Sequence, residues 1–274
     1  MKKDRTKELE AFARVLDVMD ELREKCPWDA KQTIESIRPL TIEETYELSD
    51  AILDNDMPNV CKELGDIMMH IVFYSIIAKE NGAFDVVEVM NKMCDKLIYR
   101  HPHVFSTEKV KDAEQVLQNW EQLKTKEKDG NKRILSGVPE SLPAVIKAYR
   151  MQDKARAVGF DWNNKEEVWD KVKEEVGELE DELKKLSGEK EALGEEKYRN
   201  LAEKELGDLM FSIINAARLY DLNPDSALEA TCKKFRRRFT YLEEQTIRQG
   251  RNLREMTLEE MDAIWDEAKR LERE

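Results

Sequence analysis

The pentapeptide Lys62-Glu-Leu-Gly-Asp66 recurs letter for letter as Lys204-Glu-Leu-Gly-Asp208, offset by 142 residues. Three more blocks keep the same order. Glu43-Glu44-Thr-Tyr-Glu47 corresponds to Glu174-Glu175-Val-Gly-Glu178 at an offset of 131, and Cys94, Lys96 and Arg100 correspond to Cys232, Lys234 and Arg238 at 138. Trp120 and Lys124 correspond to Trp265 and Lys269 at 145. Fixed order with a drifting offset is what duplication followed by change in connection length leaves, so the chain reads as two tandem copies of one unit. The largest jump, 11 residues, falls on Ser187–Gly194, expected to form a longer helix–helix connection in the second copy.

The repeated unit has to be helical. Apolar residues recur at helical spacing, and no proline interrupts the intervals between Pro58 and Pro102 or between Pro143 and Pro224. Charged residues make up 38% of the chain, against 10 glycines and 7 prolines, a composition of long solvated helices with little room for strands. The expected fold class is all-α, with five helices before residue ~128 and five after ~143. Asn223 before Pro224, and the capping-box spacing of Thr257-Leu-Glu-Glu260, each predict a helix start. Two glycines and two prolines gather between Lys128 and Pro143, so the expected organisation is 1–128, a linker at 129–143, and 144–274. Unbroken heptads, which a plain coiled coil requires, are missing.

Charge narrows the partners. With 46 Lys+Arg against 59 Asp+Glu the net charge is −13, which argues against nucleic-acid binding. The longest uncharged stretch, Ile67 to Ala78, is 12 residues, short of the ~20 that a membrane span needs. The N-terminus lacks the apolar stretch of a secretory signal, and the four cysteines show no paired spacing. A reduced, cytoplasmic protein is expected.

Residues three apart share a helix face, so Glu44/Glu47 and Glu63/Asp66 pair carboxylates in the first copy, and Glu175/Glu178 and Glu205/Asp208 do so in the second. In so acidic a chain one such pair is a solvated face. Here the second pair of each copy stands directly before its most apolar helix, which turns those carboxylates partly inward. Four converging acids repel and lose solvation, which is tolerable only if a cation compensates or their pKa values rise. All-carboxylate ligation favours a hard ion, Mg²⁺ or Mn²⁺. A di-iron bundle would use Glu-x-x-His, and the positions three after Glu63 and Glu205 are Asp66 and Asp208. His70 reads mainly as a satisfied helix histidine. The helical glycine of each Glu-Leu-Gly-Asp block suggests close approach of a neighbouring helix or ligand, or tight packing. Lys234 and Arg238 lie one turn apart in a cationic run, as do Trp265 and Lys269; cations facing an acidic metal site suit a polyphosphate, and charge pairing with the acidic surface is the alternative.

These residues, with Cys26-Pro-Trp-Asp29, Arg100-His-Pro-His-Val-Phe105, Trp120-Glu-Gln-Leu-Lys124 and Val158-Gly-Phe-Asp-Trp162, resemble the MazG nucleoside triphosphate pyrophosphohydrolases over nearly the whole chain. The resemblance implies two tandem MazG domains, a homodimer, Mg²⁺ dependence, and cleavage of NTPs or dNTPs to the monophosphate and pyrophosphate. It implies Glu175, Glu178, Glu205 and Asp208 as metal ligands, and Lys234, Arg238, Trp265 and Lys269 as substrate contacts. It also implies catalysis by the C-terminal domain, although the first copy retains Glu44, Glu47, Glu63 and Asp66 as a second possible metal site. Leu201 departs from relatives that carry lysine there. Glu174 is the expected general base. A helical interaction module with a decayed metal site, and a narrow hydrolase of dUTP or a modified nucleotide, are the alternatives.

Overall fold

The structure is a computed structural model that describes residues 3–107, 109–112, 115–116, 119–120, 123–124, 133–162, 164–188 and 192–272. Among the described residues the regular elements are all helical, as the sequence predicts. The chain forms two compact units, Met1–Lys111 and Asp112–Glu274.

In the first unit, α1 (Thr6–Lys25) precedes the antiparallel hairpin of α2 (Ile34–Leu53) and α3 (Met57–Glu80). Thr33 and Ser36 cap α2 reciprocally, and the Asp56 carboxylate accepts from the Asn59 N–H to start α3, with Pro58 in its first turn. The turn between them is tight because Asn55 takes a left-handed φ of 54°, which asparagine tolerates better than most residues. Met19 from α1, Ile37 from α2, and Val72, Phe73 and Ile77 from α3 close the core. Helix α4 (Val86–Arg100), capped by Asp85, and the single turn α5 (Pro102–Phe105) follow.

The second unit repeats this plan. Helix α6 (Ala144–Arg156) packs on the hairpin of α7 (Val168–Gly188) and α8 (Ala192–Leu219), with Val168, Val172 and Ala216 at its core. A second hairpin, α9 (Pro224–Arg248) and α10 (Leu258–Leu271), buries Leu242, Met256 and Ile264. Its starts are the two that the sequence marks: Asn223 caps α9 and the Thr257–Glu260 box caps α10. Within the segment expected to be a linker, Ile134–Gly137 forms a 3-10 turn packed against α6.

The 11-residue jump is placed differently from the expectation. Helix α2 ends six residues after Glu47 and α7 ends ten after Glu178, while Glu63 lies six residues into α3 and Glu205 thirteen into α8. The extra residues lengthen the hairpin arms by four and seven residues instead of looping out; residues 189–191 lie outside the described residues. Helix-forming Glu, Lys, Leu and Ala dominate the insertion, so continuing two helices costs less than ordering a loop.

Candidate functional site

Each hairpin brings three carboxylates together. In the first unit oxygens of Glu44, Glu63 and Asp66 lie within 4.8 Å of one another; in the second, oxygens of Glu175, Glu205 and Asp208 do the same. One acid comes from the first arm and two from the second, because the antiparallel arms set Glu44 and Glu175 opposite the Glu-x-x-Asp turns. Glu47 and Glu178 stand one turn further on and outside these groups, and both are exposed. Glu178 nevertheless feels the cluster: loss of solvent contact, then the charges of Glu175 and Glu205, raise its carboxyl above the usual range against the pull of Lys171.

Burial makes the first cluster costly. Glu63 is 1% exposed; one oxygen meets Lys62 Nζ at 2.8 Å, and Oε2 has no hydrogen-bond partner. Desolvation, then the charges of Asp66 and Glu47, then a hydrogen bond to Glu63 raise the Glu44 carboxyl. In the second unit Glu175 is 5% exposed and meets Lys171 Nζ at 2.7 Å; the same ammonium reaches Glu174 at 3.0 Å. Those two carboxylates, with burial opposing, raise the Lys171 pKa. Three carboxylates against one ammonium leave each site deficient in positive charge, and in the first unit the buried Oε2 of Glu63 also lacks a partner, so the donor sets fit a hard divalent cation.

Neither lysine was assigned a role from the sequence. Lys62 belongs to the repeated pentapeptide and corresponds to Lys204, whereas Lys171 corresponds at the offset of 131 to Leu40, so the two units draw the cluster lysine from different arms and the repeat does not mark Lys171. His70 is 4% exposed with Nδ1 unpartnered, so it is not the satisfied histidine expected; burial pushes its imidazole pKa down, with Asp66 opposing. Of the readings of the helical glycines, close packing within the chain is corrected. A Cβ on Gly65 or Gly207 would meet nothing within 4 Å, so neither is held by close packing within this chain.

The expected phosphate contacts gather on the α9–α10 hairpin. Arg238 Nε and Nη2 donate to Glu272 at 2.9 and 2.6 Å, and Arg237 Nε donates to the same carboxylate at 2.8 Å. The Arg238 guanidinium lies 5.8 Å from the Trp265 ring centre, and Phe235 packs on that ring at 5.1 Å. Lys269 Nζ donates to Asp266 at 2.8 Å, and Lys234 is exposed on α9. Arg237, Arg238 and Lys269 are therefore paired with carboxylates of their own hairpin.

Fold and site together define a class: an all-helical protein of two tandem repeats, each with a carboxylate cluster on a helical hairpin suited to a hard metal ion. Comparison with known proteins gives the family. The MazG nucleotide pyrophosphohydrolase domain matches twice, at residues 32–105 and 163–242. The nucleoside triphosphate pyrophosphohydrolase of Escherichia coli K12 is 38% identical over 264 residues, 94% of this chain and 97% of that protein. The nucleoside triphosphate pyrophosphohydrolase/pyrophosphatase MazG of Thermotoga maritima is 39% identical over 261 residues, 94% of this chain and 95% of that one. The uncharacterized protein YabN of Bacillus subtilis is 40% identical over 265 residues, 96% of this chain but 52% of its own length. The chain belongs to the MazG nucleotide pyrophosphohydrolase family.

Proposed function

We propose that this protein hydrolyses nucleoside triphosphates to the monophosphate and pyrophosphate, with Mg²⁺ as its cofactor and Mn²⁺ as a substitute, at the hairpin of the second unit. The carrying observation is the group of Glu175, Glu205 and Asp208, whose oxygens lie within 4.8 Å of one another. These three would hold the metal; Glu178, which the family resemblance implies as a fourth ligand, stands one turn away and outside the group. When bound, the ion supplies Lewis-acid polarisation of phosphoryl oxygens. The chain's own residues do the rest. A water attacks the α-phosphorus in line, the bond from that phosphorus to the bridging oxygen breaks, and pyrophosphate leaves. Glu174, the base expected from the sequence, has its carboxylate engaged by Lys171, whereas Glu178 is exposed one turn from the metal-holding group, a position suited to taking the water's proton. Glu178 is therefore the base in this scheme and Glu174 positions Lys171. Lys234, Arg238 and Lys269 would neutralise the leaving pyrophosphate and Trp265 would pack the nucleoside, Arg238 and Lys269 exchanging their present carboxylates for phosphate.

A homodimer is part of the same reading. Met90 and Leu97 on α4 and their counterparts Leu228 and Phe235 on α9, at the offset of 138, are all exposed apolar residues at helical spacing, which favours coverage by a second copy.

The test is pyrophosphate release from a panel of NTPs with Mg²⁺. Glu175→Gln or Asp208→Asn is expected to cut the rate by about a hundredfold or more, with helical content retained. Glu63→Gln is expected to leave most turnover, and loss in that variant instead would move the active site to the first unit. Orthophosphate without pyrophosphate would mean that a different bond is cut.

A further inference from the structure

The two carboxylate clusters differ in what stands one turn further along. In the first unit it is His70, four residues after Asp66 on α3; at the offset of 142 the second unit has Ser212 in its place. Across the seam the exchange runs the other way, with Leu40 where the second unit has Lys171. We propose that the first unit's cluster is a site for a late first-row transition ion, Zn²⁺ above all, held by Glu44, Glu63, Asp66 and His70. The inference goes beyond the hydrolase reading, which concerns the second unit and Mg²⁺.

Three observations carry it. The first is a pair of unanswered buried atoms. Glu63 is 1% exposed with Oε2 unpartnered, and His70 is 4% exposed with Nδ1 unpartnered. Buried polar atoms left unpaired cost stability, and a bound ion that takes a lone pair from each removes that cost. The second cluster has no such need. Glu175, Glu205 and Asp208 leave no buried oxygen unpartnered, and Ser212 Oγ donates to the Leu209 carbonyl at 2.9 Å.

The second is where the ammonium sits. In the second unit Lys171 reaches the buried Glu175 from its own arm, at 2.7 Å. In the first unit Lys62 meets Glu63 at 2.8 Å and Asp66 at 3.8 Å, but its side chain is 63% exposed. It therefore answers the cluster from the solvent side and leaves the buried side, where Glu63 Oε2 lies, without a cation.

The third is register. Glu63, Asp66 and His70 follow one another at steps of three and four residues, hence on one face of α3. The three acids form the 4.8 Å group by themselves, and His70 stands one turn beyond it. Asp66 and His70 have the spacing of the two histidines in a helical zinc site, from which both side chains reach one ion. Rotation of the His70 side chain brings its ring to an ion seated on Asp66. Ligand type then selects the ion. Mg²⁺ takes oxygen donors and keeps several waters, whereas an imidazole nitrogen among carboxylates favours Zn²⁺ and its neighbours.

Calorimetric titration of the full chain with Zn²⁺ and, separately, with Mg²⁺ tests this, in an Asp208→Asn background that disables the second cluster. That chain is expected to bind Zn²⁺ more tightly than Mg²⁺. His70→Ser, which installs the second unit's residue, is expected to weaken Zn²⁺ binding by roughly tenfold or more and to leave Mg²⁺ binding within about twofold. The unchanged Mg²⁺ affinity shows that the variant is folded, and the four cysteines are present in every chain, so they contribute no difference. Glu63→Gln is expected to weaken both ions. Bound Co²⁺ supplies a second readout, since its visible spectrum is expected to change when the nitrogen ligand is removed. Zn²⁺ affinity unchanged in His70→Ser, Zn²⁺ and Mg²⁺ affinities falling in step, or a Co²⁺ spectrum indifferent to His70 overturns the assignment, as does a chain that binds no Zn²⁺. Pyrophosphate release plays no part in these measurements, so the hydrolase reading can fail while this one stands.

Discussion

Asp161 and Arg218 show what one residue pair contributes here. The guanidinium is 3% exposed, so it depends on the carboxylate that faces it. Asp161→Asn leaves that charge buried and under-compensated, and is expected to cost about 3 kcal/mol in urea unfolding. Combining it with Arg218→Met is expected to recover most of the loss; a double variant as unstable as the single would show that the charge was not the cause. Glu272 gives a pH-dependent counterpart. Hydrogen bonds from Arg238 and Arg237 hold its carboxyl down at about 2, against 4.5 for the free side chain. The folded state thus keeps this carboxylate ionised where the unfolded chain already takes up a proton. Its contribution is complete above about pH 4.5 and is lost as pH falls toward 2. The melting temperature of the parent chain is expected to exceed that of Glu272→Gln at pH 6, with the gap closing by pH 2. A gap independent of pH would assign the effect to packing.

At the scale of the element, the helical hairpin is the functional part. Each pairs one carboxylate-bearing turn with a Glu-x-x-Asp turn across the seam, and its repulsion is what a cation would relieve. Ion binding to the folded state alone, at a hundredfold excess over Kd, adds about 2.7 kcal/mol. For a chain of this size that raises the melting temperature by roughly 5–10 °C. Mg²⁺ is expected to produce such a shift, and Glu175→Gln to reduce it; an unchanged melt would remove the metal from the scheme. The arms also show how an insertion can be absorbed. Eleven residues entered the second hairpin beyond its carboxylates, and helix-forming composition carried them into both arms without disturbing the pairing of Glu175 with Glu205 and Asp208.

The whole molecule is two units with separate cores, and they have diverged where chemistry is selective. Both retain the acidic cluster, while the residues further along the second arm differ: at the offset of 142, Asn215 and Arg218 stand where the first unit has Phe73 and Ile76. A fragment of residues 112–274 is expected to fold cooperatively and remain helical by circular dichroism, because its cores draw no residue from the first unit. A non-cooperative melt would show that the first unit is needed for folding as well as duplicated. No helix among the described residues is long and apolar enough to cross a membrane, in keeping with charge spread over nearly every helix.

The all-helical class, the caps at Asn223 and Thr257 and the acidic pairs were legible in the chain itself, because each depends on residues within a few turns of one another, and the tandem repeat because matching residues recur in the same order. Local periodicity and capping are short-range physics. Sequence spacing put Glu44 and Glu47 on one face with equal weight, as it did Glu175 and Glu178; the opposing arm decided that Glu44 and Glu175 join the clusters. The lysines at those clusters, the open space around Gly65 and Gly207, and the unpartnered nitrogen of His70 escaped the reading for the same reason. Which side chain meets which across a hairpin, and which buried group is left without a partner, depends on the register of packed helices, and only the tertiary structure fixes that.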